Sequence, residues 1–217
     1  MKQNLKKGIK YFVLIAIVAI VGLLSYVSFA LPDVGDPENI TIEITPDRVE
    51  RGKYLAHSVN SCMDCHSKRD WTKTAGPIVE GTLGQGGEEF NQDLGFPGKF
   101  FAKNITPYAL KDWTDGEIFR AITSGVNKDG KALFPLMPHP NYGKSDREDI
   151  YSIIAYIRTL KPIENVVPES VPDFPMNFII NTIPQKPQFV KIPEQSNTVA
   201  YGAYIFNAAD CFTCHTK

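Results

Sequence analysis

The chain has 217 residues, 43% of them hydrophobic and 11% aromatic, with a formal net charge of -1, which is the composition of a globular protein with no dominant disordered or low-complexity tract. Four lysines precede the first long apolar run and no acid does, so the remainder carries 23 - 4 = 19 basic residues against 24 acidic ones, or -5. Phosphate binding wants a basic face, so nucleic acid is excluded as the expected partner.

Residues 1–30 read as an N-terminal membrane anchor or signal peptide. Lys2, Lys6, Lys7 and Lys10 lead into an uncharged run from Tyr11 to Ala30, long enough to cross a bilayer, which takes ~20 apolar residues. Asp33, Asp36 and Glu38 follow it, so the lysine-rich end stays cytoplasmic and the remainder is exported. Ser28-Phe29-Ala30 offers the small residues a signal peptidase reads, but the run exceeds the ~7–15 residues of a signal-peptide core. A retained single-span anchor is the expectation. Residues 31–45, polar and broken by Pro32 and Pro37, read as a stalk.

A folded domain is expected over residues 46–162, in an all-α class. Thr45 can cap a helix with Pro46 at its first position, and Val49, Gly52 and Leu55 follow at helical spacing. Just beyond stands Cys62-Met63-Asp64-Cys65-His66, and the pattern recurs as Cys211-Phe212-Thr213-Cys214-His215, which together use all 4 cysteines. Cys-x-x-Cys-His is the attachment signature of c-type haem. Two thiols at this spacing form thioether bonds to one porphyrin, and the adjacent imidazole becomes the proximal ligand. Four thiolates could instead hold structural zinc, and plain disulfides could form, but neither accounts for the histidine after each pair. A thioredoxin-like dithiol would need an enclosing βαβ pattern, which neither motif has.

Gly76 to Pro107 holds seven glycines between positions 76 and 98, and reads as loop wrapped around a flat cofactor; no Gly-Lys-Ser/Thr ending supports a phosphate cradle. Thr114-Asp115-Gly116-Glu117 matches a capping box, with Ile118, Phe119 and Ile122 on one face before Gly125. Ser145-Asp146-Arg147-Glu148 matches a second, followed by Ile150, Ile153, Ile154, Ile157 and Leu160. Residues 163–194, with prolines at 168, 172, 175, 184 and 187, read as an extended linker. Residues 195–217 read as the start of a second domain of the same kind, because Tyr201-Gly202-Ala203-Tyr204-Ile205 parallels Arg51-Gly52-Lys53-Tyr54-Leu55 ahead of each motif. The distal half of that second domain is expected to be lacking.

An iron held by His66 needs a partner on its other face. Met63 is trapped between attachment cysteines, leaving Met137 and Met176. Met137, in Phe134-Pro135-Leu136-Met137-Pro138, sits on a stiff loop between helices and is the better placed. His139 is the competing ligand, and His57, on the motif's own side, a weaker one. The unspecialised alternative is that Met137 simply fills a gap in the core.

Residues Arg51 to Leu160 resemble one domain of the membrane-associated multi-haem cytochrome c subunits of periplasmic alcohol and gluconate dehydrogenases. The resemblance rests on Arg51 to Leu55, the first haem motif, Asn104-Ile105-Thr106-Pro107, Trp113-Thr114-Asp115, Phe134 to Pro138 and the helix from Ile150 to Leu160. Pro172-Asp173-Phe174-Pro175-Met176-Asn177 resembles the family's inter-haem linker. The resemblance implies a cytochrome c domain with a second, truncated one after it, and Met137 as distal ligand. Cofactor-binding residues are then Cys62, Cys65, Cys211 and Cys214, iron ligands His66, Met137 and His215, and the cofactor haem c.

The function expected is single-electron transfer in a respiratory chain, at the periplasmic face of the inner membrane, between a dehydrogenase and an oxidase or soluble cytochrome. Apolar side chains such as Phe100, Phe119 and Ile122 around the porphyrin would raise its potential. The alternative is a dihaem redox enzyme of thiosulfate dehydrogenase or cytochrome peroxidase type, with one iron open to substrate.

Overall fold

The computed structural model describes residues 2–216. Helix α1, Lys2–Phe29, is exposed at most of its described side chains, and is met near its foot by the linker, where Asn181 donates to the Val27 carbonyl at 3.3 Å. Helix α2, Pro46–Tyr54, starts as expected, with the Thr45 hydroxyl accepting from Arg48 N at 3.3 Å. It continues as a π-helical turn over Leu55–Val59, an irregularity that widens the helix where the chain must leave it. The short helix α3, Cys62–Cys65, follows.

The glycine-rich stretch is less irregular than its composition implies. Strands β1 (Glu89–Phe90) and β2 (Gly98–Phe101) pair antiparallel, and β3 (Val171–Pro172) from the linker joins the other edge of β2. The all-α expectation therefore holds for most of the chain, with a small three-stranded sheet added. An aromatic cluster explains the strands: Phe96 lies edge-on to Phe90 and Phe134, and Phe134 stacks on Phe100 with centroids 4.0 Å apart. Alternation is too short here to be read against seven glycines.

Helix α4 is Pro107–Leu110 and α5 is Asp115–Ser124, the latter closed by the expected capping box between Thr114 and Glu117. Helix α6, His139–Tyr142, precedes α7, Arg147–Arg158. The second capping box is not formed. Asp146, not Ser145, is the N-cap, its carboxylate accepting from Glu148 N at 3.0 Å; a carboxylate beside the positive end of a helix displaces a neutral hydroxyl. Helix α7 crosses α2 so closely that a Cβ on Gly52 would stand 1.8 Å from the Ser152 carbonyl oxygen. Leu55, Ala56 and Val59 meet Ile150, Ile153, Ile154 and Ile157 there, all nearly fully buried, with Leu110, Ile118 and Phe119 completing the core.

The segment expected to be a stalk packs on the domain from Glu38 onward. Ile42 is buried and its N–H donates to Asp115, Glu38 pairs with Arg147, and the Glu38 backbone lies where Gly116 leaves no side chain. The linker also differs from a plain extended connector: it supplies β3 and the turn α8, Met176–Ile179, which continues as a 3-10 turn to Thr182. Helix α9, Thr198–Ala208, and α10, Cys211–His215, end the described chain.

Candidate haem-attachment site

The first motif begins with a forced backbone. Ser61, at φ 50° and ψ 31°, is left-handed, and turns the chain abruptly so that Cys62 starts a new helix axis. Cys62 and Cys65 are free thiols and half-buried, while Met63 between them is buried in the core. Burial, with the neighbouring Cys65 adding to it, pushes the Cys62 thiol up to about 12. Among the described residues no three His, Cys, Asp or Glu side chains gather as a metal cage.

His66 is held by one ring atom. Its Nδ1 lies 2.6 Å from the Lys103 carbonyl oxygen, and since a carbonyl only accepts, Nδ1 carries the proton and Nε2 keeps its lone pair. Burial lowers the imidazole pKa, opposed by that bond, so the ring stays neutral as a metal ligand must be. The close approach of Lys103 has a cause in sequence: Gly86, at φ 70°, lies so near that a Cβ would meet the Lys103 carbonyl carbon at 2.5 Å and Asn104 N at 2.6 Å. Asn104 then fixes the strand. Its amide donates to the Ile163 carbonyl at 2.9 Å, and its oxygen accepts from Thr106 N and Oγ1 at 2.9 and 2.8 Å. The Asn-Ile-Thr-Pro segment thus acts through the carbonyl one residue before it, a role no side-chain pattern announces.

The loop carrying Met137 is tied back to the approach of the motif. Met137 is half-buried against the same core as Cys62. Tyr142, three residues beyond His139, is buried and donates from its hydroxyl to the Asn60 carbonyl at 2.8 Å, two residues before Cys62. Burial first, and then the two thiols, raise the Tyr142 pKa well above its ordinary value, which marks how near the phenol lies to both cysteines. Tyr142 and Asn60 escaped the sequence reading because an aromatic at the end of a four-residue helix has no periodicity.

His139 is fully buried with neither ring nitrogen hydrogen-bonded. Its ring covers Gly125, where an added Cβ would stand 2.4 Å from Nε2, and burial, opposed by the nearby Leu133 backbone, pulls its pKa down to about 4. His57 has a different partner, its Nε2 lying 2.7 Å from the Tyr156 hydroxyl. Of the three apolar residues expected around a porphyrin, Phe100 stacks on Phe134, Ile122 borders the core, and Phe119 packs with Tyr151 and Phe189 beneath the Arg147 guanidinium.

The second motif repeats the first's local geometry. Asp210, at φ 54° and ψ 30°, stands before Cys211 as Ser61 does before Cys62. Cys211 is half-buried and His215 exposed, while the side chain of Cys214 lies outside the described residues. Helix α9 docks on the first domain. Tyr204 donates to Asp149 Oδ2 at 2.6 Å and accepts from Asp146 N at 3.0 Å, and Asp149 also grips Arg51 through two bonds of 2.8 Å. Asn60 donates to the Ala208 carbonyl at 3.4 Å, Asn207 to the Asn141 carbonyl at 3.3 Å, and Asn141 bonds Asp210. The residues leading into the two motifs therefore share one hydrogen-bonded seam.

The donor set fits haem c: paired free thiols on a short helix, a neutral imidazole with Nε2 bare, and a thioether on a loop tied back to the motif. Comparison with protein-family models finds no match. Among curated proteins, the chain is 27% identical over 190 residues to the cytochrome c subunit of a quinone alcohol dehydrogenase of Gluconacetobacter polyoxogenes, covering 79% of this chain and 37% of the relative. It is 29% identical over 182 residues to a fructose dehydrogenase cytochrome subunit of Gluconobacter japonicus, covering 77% and 34%. A gluconate 2-dehydrogenase cytochrome c subunit of Pantoea cypripedii is 26% identical over 180 residues, covering 77% and 38%. The chain resembles cytochrome c subunits of dehydrogenases, as its motifs implied, and spans less than two fifths of these relatives' length.

Proposed function

We propose that the chain is a c-type cytochrome carrying single electrons at the outer face of the cytoplasmic membrane, as a subunit or partner of a membrane-bound dehydrogenase. Cys62 and Cys65 would bind one haem covalently, with His66 and Met137 on its iron; Cys211, Cys214 and His215 would hold a second. The haem supplies a one-electron ferric/ferrous couple when bound. The protein's own contribution is to hold the two ligands at fixed positions and to exclude water. The observation that carries the reading is the bond between His66 Nδ1 and the Lys103 carbonyl, which both sets the tautomer and aims the ring, as metal-bound imidazoles require.

Orientation is proposed from α1: its lysines flank one end and acids the other, which leaves the cysteines on the exported side. The reading is tested by expressing the chain in cells with a working cytochrome c maturation system. Denaturing gels should show covalent haem staining, and intact mass should show two haems on the wild type and one on Cys62→Ser/Cys65→Ser. An unstained band, or a mass equal to that of the bare polypeptide, would falsify it.

A further inference from the structure

An apolar surface outside the haem sites lies where the linker meets the foot of α1. Asn181 Nδ2 donates to the Val27 carbonyl at 3.3 Å, so the turn from Met176 to Thr182 is fastened to that helix. Val27 lies ~26 Å beyond Lys10 at 1.5 Å per residue, within the last turn of an apolar span matched to a hydrocarbon core of ~30 Å. Whatever packs on Val27 sits at the boundary between acyl chains and headgroups. The linker carries large exposed apolar side chains around this turn, Phe174 at 81% and Ile179 at 44%, and Phe29, two residues past Val27 on the helix, is 89% exposed. Phe174 and Phe178 brace each other edge to face at 6.2 Å. Between them and the domain, Asp173 is held by Gln92 and by the Pro97 carbonyl, and Ile180 is buried, so the turn is fixed and Phe174 and Ile179 are left facing outward.

We propose that Phe174 and Ile179 insert into the lipid interface of the bilayer that α1 spans, making the linker a second, monotopic contact. Apolar residues of this kind sink ~5–10 Å into the headgroup boundary. One pivot would leave the haem domain free to swing about the chain at Ala30; two contacts hold it at a set height and orientation. The occupant is lipid, not protein, because the patch is continuous with the transmembrane helix at the depth where the bilayer itself ends. This inference rests on reading α1 as a membrane span.

The haem-loaded full chain, reconstituted in nanodiscs of phosphatidylcholine containing a phosphatidylcholine with a diazirine on its acyl chain, is photolysed and its adducts are mapped by mass spectrometry. Adducts are expected on Leu23 of α1 and on Phe174 and Ile179, and none on Val199, which is 82% exposed on α9, a helix packed on α6 and α10. Adducts on α1 without any on Phe174 or Ile179 would overturn the proposal, leave the anchor standing, and assign the patch to a protein partner. Absence of adducts on α1 would remove the anchor and the proposal together. Equal labelling of Val199 would show indiscriminate contact with lipid, and would also overturn it.

Discussion

If the first motif carries haem as proposed, two residues on one loop compete for its iron, and their surroundings decide between them differently. Met137 borders the core that Cys62 joins, whereas His139 is spent covering Gly125. A buried imidazole with no partner costs about 1–3 kcal/mol, and such a ring would gain most from a metal, which keeps His139 a real competitor. The near-infrared sulfur-to-iron band of the oxidised protein is expected to survive His139→Leu and vanish in Met137→Ala; the opposite pattern would make His139 the ligand. His139 also carries a pH signature. Its folded pKa of about 4 lies below the ordinary 6.5, so between these values the unfolded chain takes up a proton that the folded chain refuses. Stability present above pH 6.5 is thus lost as pH falls towards 4, by up to about 3 kcal/mol. Urea midpoints at pH 7 and 4.5 should converge less in wild type than in His139→Leu; parallel shifts would mean that His139 is protonated in the fold. Sequence alone names both residues and ranks Met137 first from its stiff loop and the resemblance, but the burial of His139 and its bare ring nitrogens appear only once the loop is closed by Tyr142.

At the scale of elements, the repeated glycine–tyrosine pattern has two structural outcomes. Gly52 is the point where α7 crosses α2, with the Ser152 carbonyl 1.8 Å from a Cβ, while Gly202 on α9 has nothing within 4 Å. Gly52→Ala should therefore cost at or beyond the upper end of about 1–3 kcal/mol for overpacking. Gly202→Ala should be neutral or stabilise by up to about 1 kcal/mol through helix propensity. Denaturant midpoints of the two variants check this, and equal losses would show that α9 is crossed as α2 is. The elements themselves were largely legible. Thr45-Pro46 and Thr114 to Glu117 announce helices because caps act within one turn, and the isoleucines of α7 announce its buried face. What escaped was set by long-range pairing: β3 is two residues of linker recruited by β2, and the segment from Glu38 to Ile42 is pulled onto the domain by Gly116, Asp115 and Arg147. Neither leaves a local period to read. The docking of α9 through Tyr204 and Asp149 was equally hidden, because a tyrosine within a helix reads the same whether its hydroxyl meets water or a buried carboxylate.

Over the whole molecule the two motifs are alike in local geometry and unlike in surroundings, and with haem on both, as proposed, their redox behaviour should divide accordingly. The first borders the core, its histidine fixed by the Lys103 carbonyl, and Met137 packs on that core from a loop tied to Asn60. The second stands on α10 with His215 exposed and Phe206 on the preceding helix 45% exposed. Water around a haem favours the more highly charged ferric iron, so the second couple should have the lower potential. In the 217-residue chain, cyanide or imidazole should bind the second iron at concentrations that leave the first untouched, and a redox titration should resolve two waves. Asn60 to Ala208 and Asn141 to Asp210 join the two motifs' approaches, so the first wave should shift when the second iron takes cyanide, and Asn60→Ala should reduce that shift while leaving the spectrum of the first haem intact. The relatives are more than twice this length, and a longer polypeptide that covered the second haem would bring the potentials together. Two waves merged into one high-potential step in this chain, with neither iron open to cyanide, would show that the second haem is already fully ligated, by a residue of this chain or of a second copy.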